Sequence, residues 1–222
     1  FQGKTMKLIL IRHGQTTWNK AKRYQGKTDI PLSSVGKRQA VRVAERLRHE
    51  PIKRIFSSTL QRALSTAAPI ARSHGLRIES RECLCERSYG AWEGLSKEDV
   101  GEKFPEDIAR YEKNRYSQRP TGGESLLDLE RKLTPLIKKI RAMCRSRGTA
   151  KDAVAIVAHN GSLRALFRSL TDAPGKKVGK LAFKEASVTS LTLKGGKVKV
   201  DYFNSITHLR KRKSHLHQQP DR

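Results

Sequence analysis

Two kinds of apolar pattern alternate along the chain. Lys7–Ile11, Lys53–Ser57 and Ala153–Ala158 are short apolar-rich runs of strand type; the last is wholly apolar and predicts a central strand covered on both faces. Leu76–Leu84 predicts a further strand. Between these runs apolar residues recur at helical spacing. They are Ala40, Val43, Ala44 and Leu47 within Val35–Glu50, and Leu60, Ala63, Leu64, Ala67 and Ile70 within Thr59–Ser73. Leu126, Leu129, Leu133, Leu136, Ile140 and Met143 form the inward side of a long helix over Glu124–Arg147, in which Pro135 predicts a kink or a break. Lys97–Arg119 carries helix signals broken by Pro105. Gly161–Leu170 predicts a helix after the apolar strand, and Val188–Leu193 with Lys197–Phe203 predicts a closing hairpin across Gly195-Gly196.

Strands alternating with helices predict an α/β fold, a mostly parallel sheet with helices on both faces. In such sheets ligands bind beyond the carboxyl ends of the strands. Two segments fall at that edge: Arg12-His13-Gly14 after the first strand and His159-Asn160-Gly161 after the apolar one.

Length and composition narrow the picture. The 222 residues suit one domain with its own core. Residues 1–6 read as a tag remnant or N-terminal extension, 7–207 as the folded domain and 208–222 as a flexible basic tail. No run of about 18 apolar residues occurs, so no membrane span is expected. Leu8–Ile11 is too short for a secretory core. The cysteines, Cys83, Cys85 and Cys144, are odd in number, and the first two stand too close for an ordinary disulfide. A reduced, intracellular protein of cytosol or mitochondrial matrix is expected. No cysteine and histidine set stands at zinc spacing, so no metal is expected. Lysine and arginine number 47 against 21 aspartates and glutamates, a net charge of +26. Such a field attracts phosphorylated small molecules, nucleic acid or an anionic membrane.

Phosphate chemistry fits the residues at the predicted sheet edge. Arg12 offers a planar, two-pronged donor set for phosphate oxygens, and Gly14 allows close backbone approach. A neutral His13 imidazole can attack phosphorus directly. His159 precedes a helix start, where backbone N–H groups favour an anion. Arg62, at a strand-to-helix transition, is placed to close a clamp on the phosphoryl oxygens. An ester also needs an acid for its leaving oxygen; spacing alone leaves Glu79, Glu82, Glu86 and Glu93 open.

The stretch Leu8 to Asn19 (LILIRHGQTTWN) resembles the signature of the histidine phosphatase superfamily, also called phosphoglycerate mutase-like. Tyr24 to Leu32, SSTLQRALSTA, ERSYGAWEG, PTGGES and AHNGSLRAL resemble later blocks of that family in the expected order, covering most of residues 7–170. The resemblance implies the family's three-layer α/β/α sandwich, no metal and no cofactor. It implies His13 as nucleophile, Arg12, Arg62 and His159 as the phosphate pocket, and Glu86 as proton donor. Asn19 and the amide of Asn160 would contribute to that pocket, and Gln25, Gly26 and Tyr89 would line the substrate side. In one departure, the glycine that often follows the second histidine is Asn160 here, with Gly161 next. A glycosylation sequon over Asn160-Gly161-Ser162 is read as accidental.

A phosphatase acting on a small phosphomonoester is the leading expectation. A phosphoglycerate mutase is the alternative, set back because the adjacent arginine pair usual in such mutases is replaced by the separated Arg110, Arg115 and Arg119. A basic scaffold associated with RNA or a ribonucleoprotein is the third reading, and it can coexist with catalysis. Substrate and oligomeric state are not legible.

Overall fold

The computed structural model describes residues 5–147, 152–174 and 181–210. A six-stranded sheet runs through it in the order β3-β2-β4-β1-β5-β6. Strands β1 (Thr5–Arg12), β2 (Ile52–Ser57), β3 (Ile78–Ser80) and β4 (Ala153–Ala158) are mutually parallel. The hairpin of β5 (Val188–Lys194) and β6 (Lys197–Ser205) adds antiparallel strands beside β1.

Each strand feeds two cores because successive side chains point to opposite faces. Leu8 and Leu10 of β1 join Val154 and Ile156 of β4 on one face. There they meet α6 (Leu126–Arg147) and α7 (Asn160–Thr171) through Leu129, Leu133, Leu136, Ile140, Leu163 and Leu166. Ile9, Ile11, Ala155 and Val157 face the other way, onto Val43, Ala44 and Leu47 of α2 (Ser34–Leu47) and Ala63, Ala67 and Ile70 of α3 (Gln61–His74). All six residues of β4 are buried, as its unbroken apolar run predicts. Truncating such a residue, Ile156→Ala for example, costs about 2–5 kcal/mol. A satellite cluster of Trp92, Val100 and Tyr111 lies under α4 (Lys97–Lys103) and α5 (Pro105–Lys113). The four-residue α1 (Thr17–Lys20) follows the first strand.

Three local expectations are corrected. The strand predicted over Leu76–Leu84 is only Ile78–Ser80; Glu82–Leu84 forms a 3₁₀ turn, so Cys83 and Cys85 are not alternating strand residues. Of the kink or break expected at Pro135, the break does not occur: one helix runs from Leu126 to Arg147. That proline is exposed, and water can solvate the carbonyl its ring leaves without a donor. His208 and Leu209, assigned by sequence to the tail, are packed: His208 Nε2 donates to the Ala186 carbonyl at 3.0 Å and Leu209 packs against the second core. Residues 211–222 of the expected tail lie outside the described residues.

Candidate active site

His13 stands one residue beyond β1, its backbone held from both sides. Its N–H donates to Ala158 O at 3.0 Å and its carbonyl accepts from Ala186 N at 3.1 Å. The ring is buried, with Nδ1 2.7 Å from the Gly14 carbonyl. A carbonyl only accepts, so Nδ1 carries the proton and Nε2 keeps its lone pair. Burial, then the charges of Arg12 and Arg62, hold His13 well below the usual histidine pKa. Gly14 is required by packing: a Cβ there would stand 2.6 Å from the Gly36 carbonyl, where α2 crosses the loop. Its N–H donates to Thr66 Oγ1 at 3.0 Å, and that hydroxyl donates to Arg62 O, tying the end of β1 to α3.

Arg62 projects from the first turn of α3 and is almost wholly buried. Its Nη1 donates to Thr28 O at 2.8 Å, Nη2 to Gly26 O at 2.7 Å and Nε to His159 Nδ1 at 3.2 Å. Three of its five N–H groups are thus used in aiming the guanidinium, which leaves two for a ligand. His159 Nδ1 accepts from Arg62, so its proton lies on Nε2, 2.8 Å from Ser58 Oγ. Burial and the neighbouring Arg62 depress its pKa as well. The two histidine rings are 5.0 Å apart between centroids. Arg12 approaches from the other side. Its Nη1 donates to Phe183 O and its Nη2 pairs with Glu185 at 3.1 Å, while its Nε is buried without a partner. A buried N–H left in that state favours an incoming acceptor.

These groups line a small cavity of about 120 Å³ together with Asn19, Arg23, Tyr24, Gln25, Gly26, Glu86, Tyr89 and Asn160. Every site residue expected from sequence is placed in it or, for His159, behind it against Arg62 and His13. Among the carboxylates, geometry separates Glu86 from the others. Glu79 pairs with Arg54 and Arg81. Glu93 accepts from the backbone N–H groups of Lys27, Thr28 and Tyr89, and is a loop staple. Glu82 lines only the neighbouring cleft. Glu86 Oε1 accepts from Arg87 N at 3.0 Å and Oε2 from Gly161 N at 2.9 Å, so its carboxylate is fixed at the cavity wall. A Cβ on Gly161 would stand 2.1 Å from Glu86 Oε1. The glycine shifted by one place thus makes room for the carboxylate that its own amide holds.

The amides are oriented by the same logic. Asn19 Oδ1 accepts from Thr16 N at 3.0 Å and Asn160 Oδ1 from Phe183 N at 2.9 Å. The Gln25 oxygen lies 3.0 Å from Thr16 Oγ1. With each oxygen engaged, each NH₂ is left as donor. Arg23, Tyr24, Ser58 and Arg87 were not singled out by sequence. Arg23 and Tyr24 adjoin Gln25-Gly26, and Ser58 lies inside the SSTLQRALSTA block; those positions were the available signals. Arg87 is a fully buried cation caged by Tyr89 and Tyr111, with its Nη1 donating to Glu124 O at 3.3 Å. No spacing pattern announces such a cage.

A cleft of about 680 Å³ meets the cavity at Glu86, with Lys27, Leu60, Glu124, Leu129 and Lys132 in its walls. Among the described residues no group of acidic, cysteine and histidine side chains is arranged to hold a metal ion, and no helix is long and apolar enough to cross a membrane.

Comparison with known proteins agrees with this geometry. The chain is 33% identical over 221 residues to the metal-independent phosphoserine phosphatase of Arabidopsis thaliana, covering 94% of this chain and 85% of the relative. It is 33% identical over 190 residues to the 2,3-bisphosphoglycerate-dependent phosphoglycerate mutase of Chlamydia muridarum, covering 73% and 83%. Among solved structures, a mycobacterial glucosyl-3-phosphoglycerate phosphatase in complex with VO3 superposes with a TM-score of 0.81 at 29% identity, covering 90% and 99%. Residues 8–206 match the model of the histidine phosphatase superfamily, branch 1, and the chain belongs to that superfamily.

Proposed function

From membership of the histidine phosphatase superfamily, we propose that this protein hydrolyses a small phosphomonoester without a metal, through a phosphohistidine on His13. The observation that carries the reading is the state of His13. Its Nδ1–H is tied to the Gly14 carbonyl, its ring is held neutral, and it lies in a cavity walled by Arg12 and Arg62. Nε2 attacks phosphorus as the bond to the ester oxygen breaks. The free donors of Arg12 and Arg62 take the phosphoryl oxygens, and the NH₂ groups of Asn19, Gln25 and Asn160 add neutral donors. The positive charge arising on the imidazole is shared through Nδ1–H with the Gly14 carbonyl. His159 keeps the Arg62 guanidinium aimed and remains neutral. Glu86 gives its proton to the leaving oxygen, which departs past Tyr89 of the cavity into the adjoining cleft, beside Lys27. A water then enters; Glu86 takes its proton, the water oxygen bonds to phosphorus, and the Nε2–phosphorus bond breaks to release inorganic phosphate.

The named mutase relative makes phosphoryl transfer back to a second hydroxyl the competing reading. The insert arginines favour hydrolysis. Arg110 pairs with Asp107, Arg115 with Glu112 and Arg119 with Asp128, and none lines the cavity or the cleft. The test is phosphate release from phosphoserine, phosphoglycerates and para-nitrophenyl phosphate with chelator present. Turnover is expected in the parent and a fall of roughly ten-thousand-fold in His13→Ala. Equal turnover in both proteins rejects the nucleophile, and turnover that requires a bisphosphorylated primer selects the mutase.

A further inference from the structure

We propose that the outer face of α2 is a second binding surface, which takes the phosphate backbone of a nucleic acid independently of the catalytic cavity. Arg38, Arg42 and Arg46 recur every four residues on α2 and therefore share one side of the helix. With Arg48, His49 and Arg210 they line a groove of about 930 Å³, in which Glu45 is the one carboxylate.

The charge here is uncompensated. Several basic residues elsewhere share an acid: Arg54 and Arg81 on Glu79, Lys27 and Lys132 on Glu124, Arg119 and Arg131 on Asp128. Among the described residues none of the five groove arginines is in an ion pair. The groove is also built rather than loose. Arg42 Nη1 donates to the carbonyls of Leu209 and Arg210 at 3.3 and 3.2 Å. Arg46 Nη1 donates to Ser205 Oγ and Thr207 Oγ1, and its guanidinium sits 5.1 Å over the Tyr202 ring. Both keep unused N–H groups for phosphate oxygens, which arginine meets two at a time.

Shape and composition choose the occupant. The cations line a groove rather than a flat face, an arrangement that follows a curved phosphate backbone. No phenylalanine, tyrosine or tryptophan lines the groove, so recognition rests on phosphates rather than on stacked bases, without sequence preference. The segment after Arg210 begins with Lys211, Arg212 and Lys213, like in charge to the groove and so no electrostatic partner for it. None of the lining residues belongs to the catalytic cavity.

The test compares three full-length proteins: the parent, the triple variant Arg38→Glu, Arg48→Glu, Arg210→Glu, and a control of equal charge change, Lys103→Glu, Lys113→Glu, Lys138→Glu. Binding to a labelled 20-base-pair RNA duplex is measured from 50 to 300 mM salt. The parent is expected to bind with log affinity falling against log salt at a slope of about −4, that of four or five phosphate contacts. The groove variant loses roughly a hundred-fold at 100 mM salt and about three from the slope, while the control loses under fivefold. All three release phosphate equally, which reports an intact fold. Equal losses in groove variant and control overturn the proposal, because net charge alone then explains binding. Binding to vesicles with 30% phosphatidylserine, abolished by the groove variant while RNA is ignored, overturns it in favour of a membrane surface. Absence of salt-sensitive RNA binding by the parent also rejects it.

Discussion

Two arginine clusters in this molecule attract the same chemical group by different means. Arg12 and Arg62 are largely buried, each held by backbone carbonyls, and Arg62 spends three N–H groups on its own orientation. The α2 arginines are mostly exposed and reach a groove several times larger. The first arrangement fixes directions and suits a single tetrahedral group at a single distance from His13. The second spreads charge over a wider, solvated groove and suits a long polyanion. Burial converts arginine from a source of field into a template, and the templating costs the desolvation that pushes Arg62 below the usual arginine pKa.

The contrast breaks most visibly under arginine-to-lysine exchange. Lysine keeps the charge and loses the planar fork. Arg62→Lys is expected to lower kcat/KM by roughly a hundred- to a thousand-fold, since it loses both phosphoryl donors and the aim given by Thr28, Gly26 and His159. Arg38→Lys is expected to leave RNA affinity within about threefold, because charge is what that face supplies. Steady-state kinetics and a duplex titration measure the pair. A mild loss in Arg62→Lys together with a large one in Arg38→Lys reverses the distinction between the clusters.

A smaller effect tests whether the cavity is templated throughout. Gly161→Ala drives a methyl to 2.1 Å from Glu86 Oε1, but the atom it meets is the end of a flexible side chain. The carboxylate is therefore expected to swing away at little cost in stability. Turnover of phosphoserine should fall about ten- to a hundred-fold. Turnover of para-nitrophenyl phosphate, whose leaving group needs less protonation, should fall far less. A variant that loses both substrates equally, or melts well below the parent, assigns Gly161 to the fold instead.

Much of this was legible in the sequence because the core is built from patterns with a fixed period. The wholly apolar Ala153–Ala158 is central and buried, and the strands that end at Arg12 and Ala158 deliver both histidines to one edge. Glu86 was not separable from Glu79, Glu82 and Glu93 by spacing, because what distinguishes it is two backbone N–H groups, one from a segment 75 residues away. The Arg87 cage escaped for the same reason: Tyr111 reaches it from α5, outside any local pattern. The break allowed at Pro135 does not occur, because on an exposed helix face water replaces the lost donor. The overlong third strand was a composition signal that tertiary contacts cut to three residues.

The histidines near the two clusters give the finest test. Burial first, and arginine charge after it, hold His13 and His159 well below the usual histidine pKa and bring His208, beside Arg46, down to about 4. In each case the folded-state pKa lies below the unfolded one. Between the two values the unfolded chain binds more protons, so stability is complete above about pH 6.5 and falls as pH drops below it. Each fully buried ring contributes up to about 1.4 kcal/mol per pH unit, so His13 and His159 together should lower Tm by roughly 5–10 °C between pH 6.5 and 5.5. His208 is more exposed and solvent screens its charge, so it adds less. His208→Gln should therefore flatten the decline only slightly, whereas His159→Gln should remove close to half of it. Calorimetry at closely spaced pH values reads both slopes. A larger flattening in His208→Gln than in His159→Gln places the stronger acid sensitivity at the α2 groove and contradicts the ranking by burial.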